Sequence, residues 1–213
     1  MGALLIWNYL LLILVTAFLL RVVFLIYFII TNNCKIRRDS SLRTIICIGS
    51  GGHTTEMLRL TKSFDLNKYS PRLYMMADND VNSEKKVHDT ENGRKYYTIN
   101  RVPRSRNVKQ SFSSSMISTF YAMMQTIPIV YNFKPDVVLC NGPGTCFPIC
   151  IVAFILRCLF LLDCRIVFIE SICRVRTMSL TGKVLQYFAD VIIVQWPQLR
   201  NVCFRAKYFG RLT

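Results

Sequence analysis

The sequence predicts an α/β protein with one Rossmann-like, doubly wound parallel sheet preceded by a single transmembrane helix. Three observations predict it. Residues Ala3 to Ile30 are almost wholly apolar; short β-branched runs alternate with helix-like segments from Thr44 onward; and glycine-rich turns close two of those runs. The chain divides accordingly into an anchor (1–30), a basic juxtamembrane linker (31–43) and one α/β unit (44–213).

Only Asn8, Thr16 and Arg21 interrupt the apolar run. As a helix it would reach about 42 Å, longer than the ~30 Å hydrocarbon core of a bilayer. Ala3 to Leu20 suffices to cross, with Arg21 snorkelling to the headgroups and Val22 to Ile30 leaving at a tilt or along the interface. A cleaved signal peptide fits poorly: no basic segment precedes the run, the run is too long, and no small-x-small site follows. Lys35, Arg37, Arg38 and Arg43 flank its C-terminal side. The positive-inside rule then places the N-terminus outside and the α/β unit in the cytosol.

There are 9 cysteines, an odd number, with neither a CxxC pair nor a Cys/His cluster of zinc spacing. Cys47, Cys140, Cys146, Cys150, Cys158 and Cys164 lie in apolar stretches and read as reduced core residues. Neither a metal nor a cofactor is expected. The formal net charge of +15 suits an anionic membrane surface or a phosphorylated substrate. Nucleic acid is not expected, because no zinc finger or aromatic/basic RNA-binding signature accompanies the charge.

Within the α/β unit, Thr44 to Ile48 is the first strand, followed by Gly49-Ser50-Gly51-Gly52-His53 and a helix over Thr54 to Lys62. Arg72 to Ala77 and Tyr96 to Ile99 are the second and third strands, and Asp78 to Gly93 between them reads as loop. Arg101 to Lys109 is a basic connector with Arg104 and Arg106 beside Pro103. Ser111 to Tyr131 is helical and rich in methionine and aromatics. Asp136 to Cys140 is the fourth strand, closed by Asn141-Gly142-Pro143-Gly144. Phe147 to Leu162 is a very apolar helix. The stretch from Cys146 to Leu162 would be only about 25 Å long as a helix, which favours a core or surface-bound element over a second span. Arg165 to Ile169 is the fifth strand, ending at Glu170-Ser171; Ser179 to Ala189 is a helix, and Val191 to Val194 the sixth strand.

Ligands of such sheets bind beyond the carboxyl ends of the strands, where three features fall. The loop Gly49, Ser50, Gly51, Gly52, His53 offers backbone N–H groups and a helix N-terminus to an anion, but it is neither a Walker loop nor a complete dinucleotide fingerprint. The turn Asn141, Gly142, Gly144 offers a second cradle. Glu170 and Ser171 offer a strand-end carboxylate and hydroxyl. Each has a plain structural alternative, namely tight packing, a turn and a helix cap. His53 and Glu170 are the candidate acid/base residues; Arg104 and Arg106 are candidate cations for a diphosphate. Met116, Phe120, Tyr121, Met123, Met124 and Ile127 form an apolar surface after the cationic connector, either core or a membrane-facing patch.

The strings Gly-Ser-Gly-Gly-His-Thr-x-Glu-Met-Leu (49–58), Asn-Gly-Pro-Gly-Thr (141–145), Phe-Ile-Glu-Ser (168–171) and Ala-Asp-x-Ile-Ile-Val-Gln-Trp-Pro (189–197) carry a resemblance over nearly the whole chain. The chain resembles the membrane-anchor subunit of the two-subunit UDP-N-acetylglucosamine transferase of dolichol-linked oligosaccharide synthesis. More distantly it resembles the N-terminal domain of the bacterial lipid-linked N-acetylglucosaminyltransferase of cell-wall synthesis. The resemblance implies the acceptor half of a GT-B fold at the endoplasmic reticulum membrane, single-pass, with a lumenal N-terminus and a cytosolic domain. It implies inverting transfer, the addition of the second GlcNAc to GlcNAc-diphosphodolichol in N-glycan precursor synthesis, with UDP-GlcNAc bound mainly by a separate soluble catalytic subunit. Other early dolichol-pathway enzymes are further candidate partners. The family's loops map to Gly49, Gly51, Gly52 and His53, and to Asn141, Gly142 and Gly144; its acid-containing strand end maps to Glu170 and Ser171. The bacterial amide-rich motif is absent, since Ile172 and Cys173 follow. The chain has length for one nucleotide-fold half only, so the other must come in trans, and Val202 to Thr213 is a candidate docking element. Two rival readings remain: a recruitment scaffold with vestigial loops, and a membrane-tethered dinucleotide oxidoreductase using Asp78 as a ribose-binding acid.

Overall fold

In the computed structural model, which describes residues 2–31, 41–105, 110–142 and 144–212, seven parallel strands form one sheet in the order β3-β2-β1-β4-β5-β6-β7. They are β1 (Thr44–Cys47), β2 (Arg72–Ala77), β3 (Tyr97–Val102), β4 (Val137–Asn141), β5 (Arg165–Ile169), β6 (Val191–Val194) and β7 (Ala206–Tyr208). The order reverses at β1, which pairs with β2 on one side and β4 on the other. That reversal opens a crevice between the ends of β1 and β4, where doubly wound sheets hold ligands.

Both faces of the sheet are covered, so the central strands read as continuous apolar runs rather than alternating ones. Ile45 and Cys47 of β1 point into one core with Val138 and Cys140 of β4. Ile46 and Ile48 point into the other, with Tyr74, Met76 and Leu139. Helix α2 (Gly52–Lys62) and helix α3 (Val81–Thr90) touch one another and cover the second face. Helix α4 (Phe112–Phe133) and helix α5 (Cys146–Cys158) pack together and cover the first. A short helix α6 (Leu180–Leu185) and a 3-10 turn (Pro197–Asn201) complete the fold.

The segment Asp78 to Gly93, expected as loop, holds helix α3. Only Ser83 and Val87 of α3 are buried, too narrow a stripe to register as apolar periodicity. Asp80 caps it by accepting from the Ser83 N–H at 3.2 Å. Strand β3 runs three residues beyond its expected end, through Arg101 and Val102. Strand β7 and the 3-10 turn were not expected; a three-residue edge strand leaves almost no pattern to read.

Helix α1 (Gly2–Ile30) is long and apolar enough over Leu5–Ile30 to cross a membrane. Its last turns do not run free. Leu25 and Ile29 are buried in the first core, with Val22 and Ile26 packed beside them. The Arg21 guanidinium lies 4.1 Å from the centre of the Phe160 ring, beyond the end of α5. Arg205 donates to the carbonyl of Ile29 at 2.7 Å. Lys35, Arg37 and Arg38 of the linker lie outside the described residues.

Candidate functional site

The first glycine loop leaves β1 at Gly49 and enters α2 at Gly52. Gly51 adopts φ 66°, a conformation that side chains rarely take. Thr54 Oγ1 hydrogen-bonds the Gly49 carbonyl and lies 2.7 Å from Ser83 Oγ, tying the loop to α3. Ser50, Gly51 and Gly52 are exposed, and His53 is half-buried.

The second loop leaves β4 at Asn141 and lies against the first. His53 Nδ1 is 2.9 Å from Asn141 Oδ1. Gly142 sits at φ 87° under the imidazole; a Cβ on it would come within 2.6 Å of His53 Nδ1. Gly144 accepts from Ser105 Oγ at 2.8 Å. The basic connector carrying the half-buried Arg104 is thereby fastened to this loop. Arg106 lies outside the described residues, as do Lys109 and Pro143.

A residue not singled out in the sequence joins these parts. Glu56 lies one helical turn beyond His53 on α2, is 8% exposed, and hydrogen-bonds to three groups. Asn141 Nδ2 donates to its Oε2 at 2.9 Å, Ser171 Oγ to its Oε1 at 2.8 Å and the Ile172 N–H to its Oε2 at 3.2 Å. Ser171 therefore belongs to the constellation, but as a partner of Glu56. The available signal was the acid in Thr-x-Glu-Met-Leu, placed i+3 from His53 and so on the same face of the helix.

Glu170 faces a helix cap. It is fully buried, and its carboxylate accepts from the Ser171 N–H at 3.1 Å, the Ser179 N–H at 2.9 Å and Ser179 Oγ at 3.0 Å. Ser179 in turn caps α6 through the Gly182 N–H. In this position Glu170 fastens the start of α6 to the end of β5. A strand-end acid has the same sequence signature whether it faces the crevice or a helix cap.

The fold also gathers thiols that are far apart in sequence. The sulfurs of Cys47, Cys140 and Cys146 all lie within 4.8 Å of one another, and Cys150 Sγ is 3.1 Å from Cys140 Sγ. These are soft, metal-capable ligands, yet all are fully buried in the first core. Burial pushes the Cys47 and Cys140 thiols well above the usual range. Hydrogen bonds from Cys140 and Cys47 draw Cys146 well below it.

Sequence comparison agrees with this architecture. Residues 44–212 match the family described as oligosaccharide biosynthesis protein Alg14 like. The chain belongs to that family. Among its relatives, the UDP-N-acetylglucosamine transferase subunit ALG14 of Mus musculus is 49% identical over 182 residues, covering 81% of this chain and 83% of the relative. The protein of the same name from Homo sapiens is 43% identical over 194 residues, covering 86% and 89%. Among solved structures, Acinetobacter baumannii MurG superposes with a TM-score of 0.54 at 15% identity, covering 73% of this chain. A UDP-N-acetylglucosamine 2-epimerase from Rickettsia bellii superposes with a TM-score of 0.53 at 16% identity, covering 81% of this chain. The chain spans only 42% of the MurG chain and 45% of the epimerase. The family to which the four motif strings pointed is the family that the comparison returns, and the two glycine loops converging on His53 lie within the matched region.

Proposed function

We propose that this chain is the membrane-anchoring, acceptor-binding half of an N-acetylglucosaminyltransferase, incomplete without a soluble subunit that binds UDP-GlcNAc. The observation that carries the reading is the convergence of both glycine loops on a half-buried histidine at the switch point of the sheet. The names borne by the relatives supply the donor sugar nucleotide. The chain covers 42% of the MurG chain but 83% and 89% of the curated relatives, which supports a half-enzyme as the family's own unit.

In this reading the acceptor is GlcNAc-diphosphodolichol at the cytosolic face of the endoplasmic reticulum, and the transfer adds the second GlcNAc. Backbone N–H groups of the first loop and the N-terminal turn of α2 bind the diphosphate, together with Arg104 and the exposed Arg174 and Arg176 beyond Ser171. His53 Nε2, which has no partner among the described residues, takes the proton of the acceptor hydroxyl as that oxygen attacks the anomeric carbon. UDP leaves with the bonding electrons, and the configuration inverts. General-base assistance of this kind is worth about 10²–10⁴ in rate.

The soluble subunit docks at the C-terminal segment. Among the described residues strand β7 pairs with β6 on one side only, and Val202, Phe204 and Phe209 around it are 47%, 60% and 66% exposed. Unpaired strand edges flanked by aromatics are ready association surfaces. The test is to purify the chain alone and with the soluble subunit, in lipid nanodiscs, and to measure transfer from UDP-GlcNAc to a lipid-diphosphate GlcNAc. Transfer is expected only from the pair, and Phe204→Asp with Phe209→Asp should abolish co-purification. Full activity from the isolated chain would refute the split-enzyme reading. Undiminished transfer by His53→Ala in the assembled pair would leave only a scaffold.

A further inference from the structure

Glu56 is only 8% exposed, yet it reaches the histidine through one intermediary, Asn141. The carboxylate oxygen Oε2 already faces the Ile172 N–H, so it presents lone pairs, and oxygen facing oxygen without a proton between them is repulsive. Asn141 must therefore turn its NH₂ toward Glu56 and its carbonyl toward His53, which is the orientation observed. An amide oxygen is an acceptor only, so the proton of the neutral imidazole must sit on Nδ1. Nε2 keeps its lone pair. Gly142 under the ring, with no room for a methyl group, holds the imidazole in that plane.

We infer that Glu56 is a positioning residue that selects the His53 tautomer through Asn141, so that Nε2, which has no partner among the described residues, is the nitrogen able to accept a proton. The inference rests on the proposal that His53 is the base of the transfer. Without Glu56, the Asn141 amide is free to rotate. In the rotated form its NH₂ faces Nδ1, the proton moves to Nε2, and the base is blocked. Holding a catalytic histidine in the wrong tautomer costs a serine protease about 10⁴ in kcat. Here a mixture of amide orientations is expected, with a loss on the order of 10²–10³.

The experiment uses the assembled transferase in nanodiscs with ¹⁵N-histidine incorporated. Wild-type protein is expected to show protonated Nδ1 and unprotonated Nε2 in the neutral His53 ring; the opposite tautomer would overturn the inference without any variant. Glu56→Ala should lower kcat on the order of 10²–10³, leave the KM for acceptor within about 3-fold, and give a mixed tautomer signal. Glu56→Gln should recover most of that loss, because its Oε1 can accept from Asn141 and Ile172 while its NH₂ donates to Ser171 Oγ. A purely structural role for Glu56 would instead lower yield and partner binding with kcat per assembled complex unchanged. That outcome, or an unaltered tautomer in Glu56→Ala, sinks the relay. Normal turnover by His53→Ala sinks the base assignment instead, which keeps the two failures apart.

Discussion

Replacing Gly142 with alanine places a methyl carbon 2.6 Å from His53 Nδ1, 2.7 Å from its Cγ and 2.8 Å from its Cε1. Ordinary contact begins near 3.4 Å, so the ring has to retreat by about 0.8 Å, and a misplacement of about 1 Å is enough to cost on the order of 10² in rate. The backbone adds its own cost. At φ 87° a side chain is disfavoured by about 1–2 kcal/mol, and crowding the ring adds about 1–3 kcal/mol. Gly144→Ala is the matched control, since its φ is 78° and a Cβ there meets nothing within 4 Å. It should show only the backbone cost of about 1–2 kcal/mol. The assay is transfer by the assembled pair beside denaturant unfolding of the same preparations. Gly142→Ala is expected to lose about 100-fold or more in kcat, and Gly144→Ala less than about 5-fold. Equal kinetic losses for the two would refute the claim that the second loop acts by seating the imidazole.

Glu91→Ala strips Arg72 of a bidentate partner in a fully buried pair and Tyr74 of its acceptor. Unfolding free energy should fall by about 3–5 kcal/mol, against under ~1 kcal/mol for Glu84→Ala, which breaks the exposed pair with Arg101. Burial pushes the Cys164 thiol up to about 12 from an ordinary 9.0. Its folded pKa is raised, so the stability it contributes is complete below about pH 9 and drains away as pH climbs toward 12; a denaturation midpoint falling across that window in wild type, and less steeply in Cys164→Val, checks the sign. Among the described cysteines only Cys173 is exposed, so brief maleimide treatment at neutral pH should modify Cys173 and spare Cys47 and Cys140, as read by peptide mass spectrometry.

The sheet was legible because its central strands are buried on both faces, and a run such as Thr44-Ile-Ile-Cys47 has few other uses. Strands β2, β5 and β6 have the expected bounds, Arg72–Ala77, Arg165–Ile169 and Val191–Val194. Helix α3 was not legible, because it buries little more than Ser83 and Val87 and is held by capping and by contact with α2, which composition does not record. The loops around His53 were legible as glycine turns, but their mutual approach was not. That depends on β1 and β4 being neighbours across the reversal of strand order. Glu56 and Glu170 exchange the weight their positions invited. The acid at a strand end is absorbed by Ser179, whereas the acid inside a helix reaches Asn141, Ser171 and Ile172 because α2 lies over the ends of β4 and β5.

The anchor helix changes how the proposed reaction is constrained. A flexible tether would leave the crevice free to rotate against the bilayer, and a lipid-borne acceptor would then meet it in many orientations. Instead the last turns of α1 share a core with α5, Arg21 stacks on Phe160 just past the C-terminal end of α5, and Cys146 at its N-terminal end follows the second glycine loop directly. The same guanidinium that binds the Ile29 carbonyl, Arg205, also donates to the carbonyls of Gln186, Ala189 and Asp190, so the end of the anchor is held by the domain's own backbone. Helix α5 is then a strut about 20 Å long between the level of Arg21 and the loop that seats His53. For the proposed acceptor, whose diphosphate is held by the first glycine loop, that strut sets how far the lipid's head has to rise from the level of Arg21.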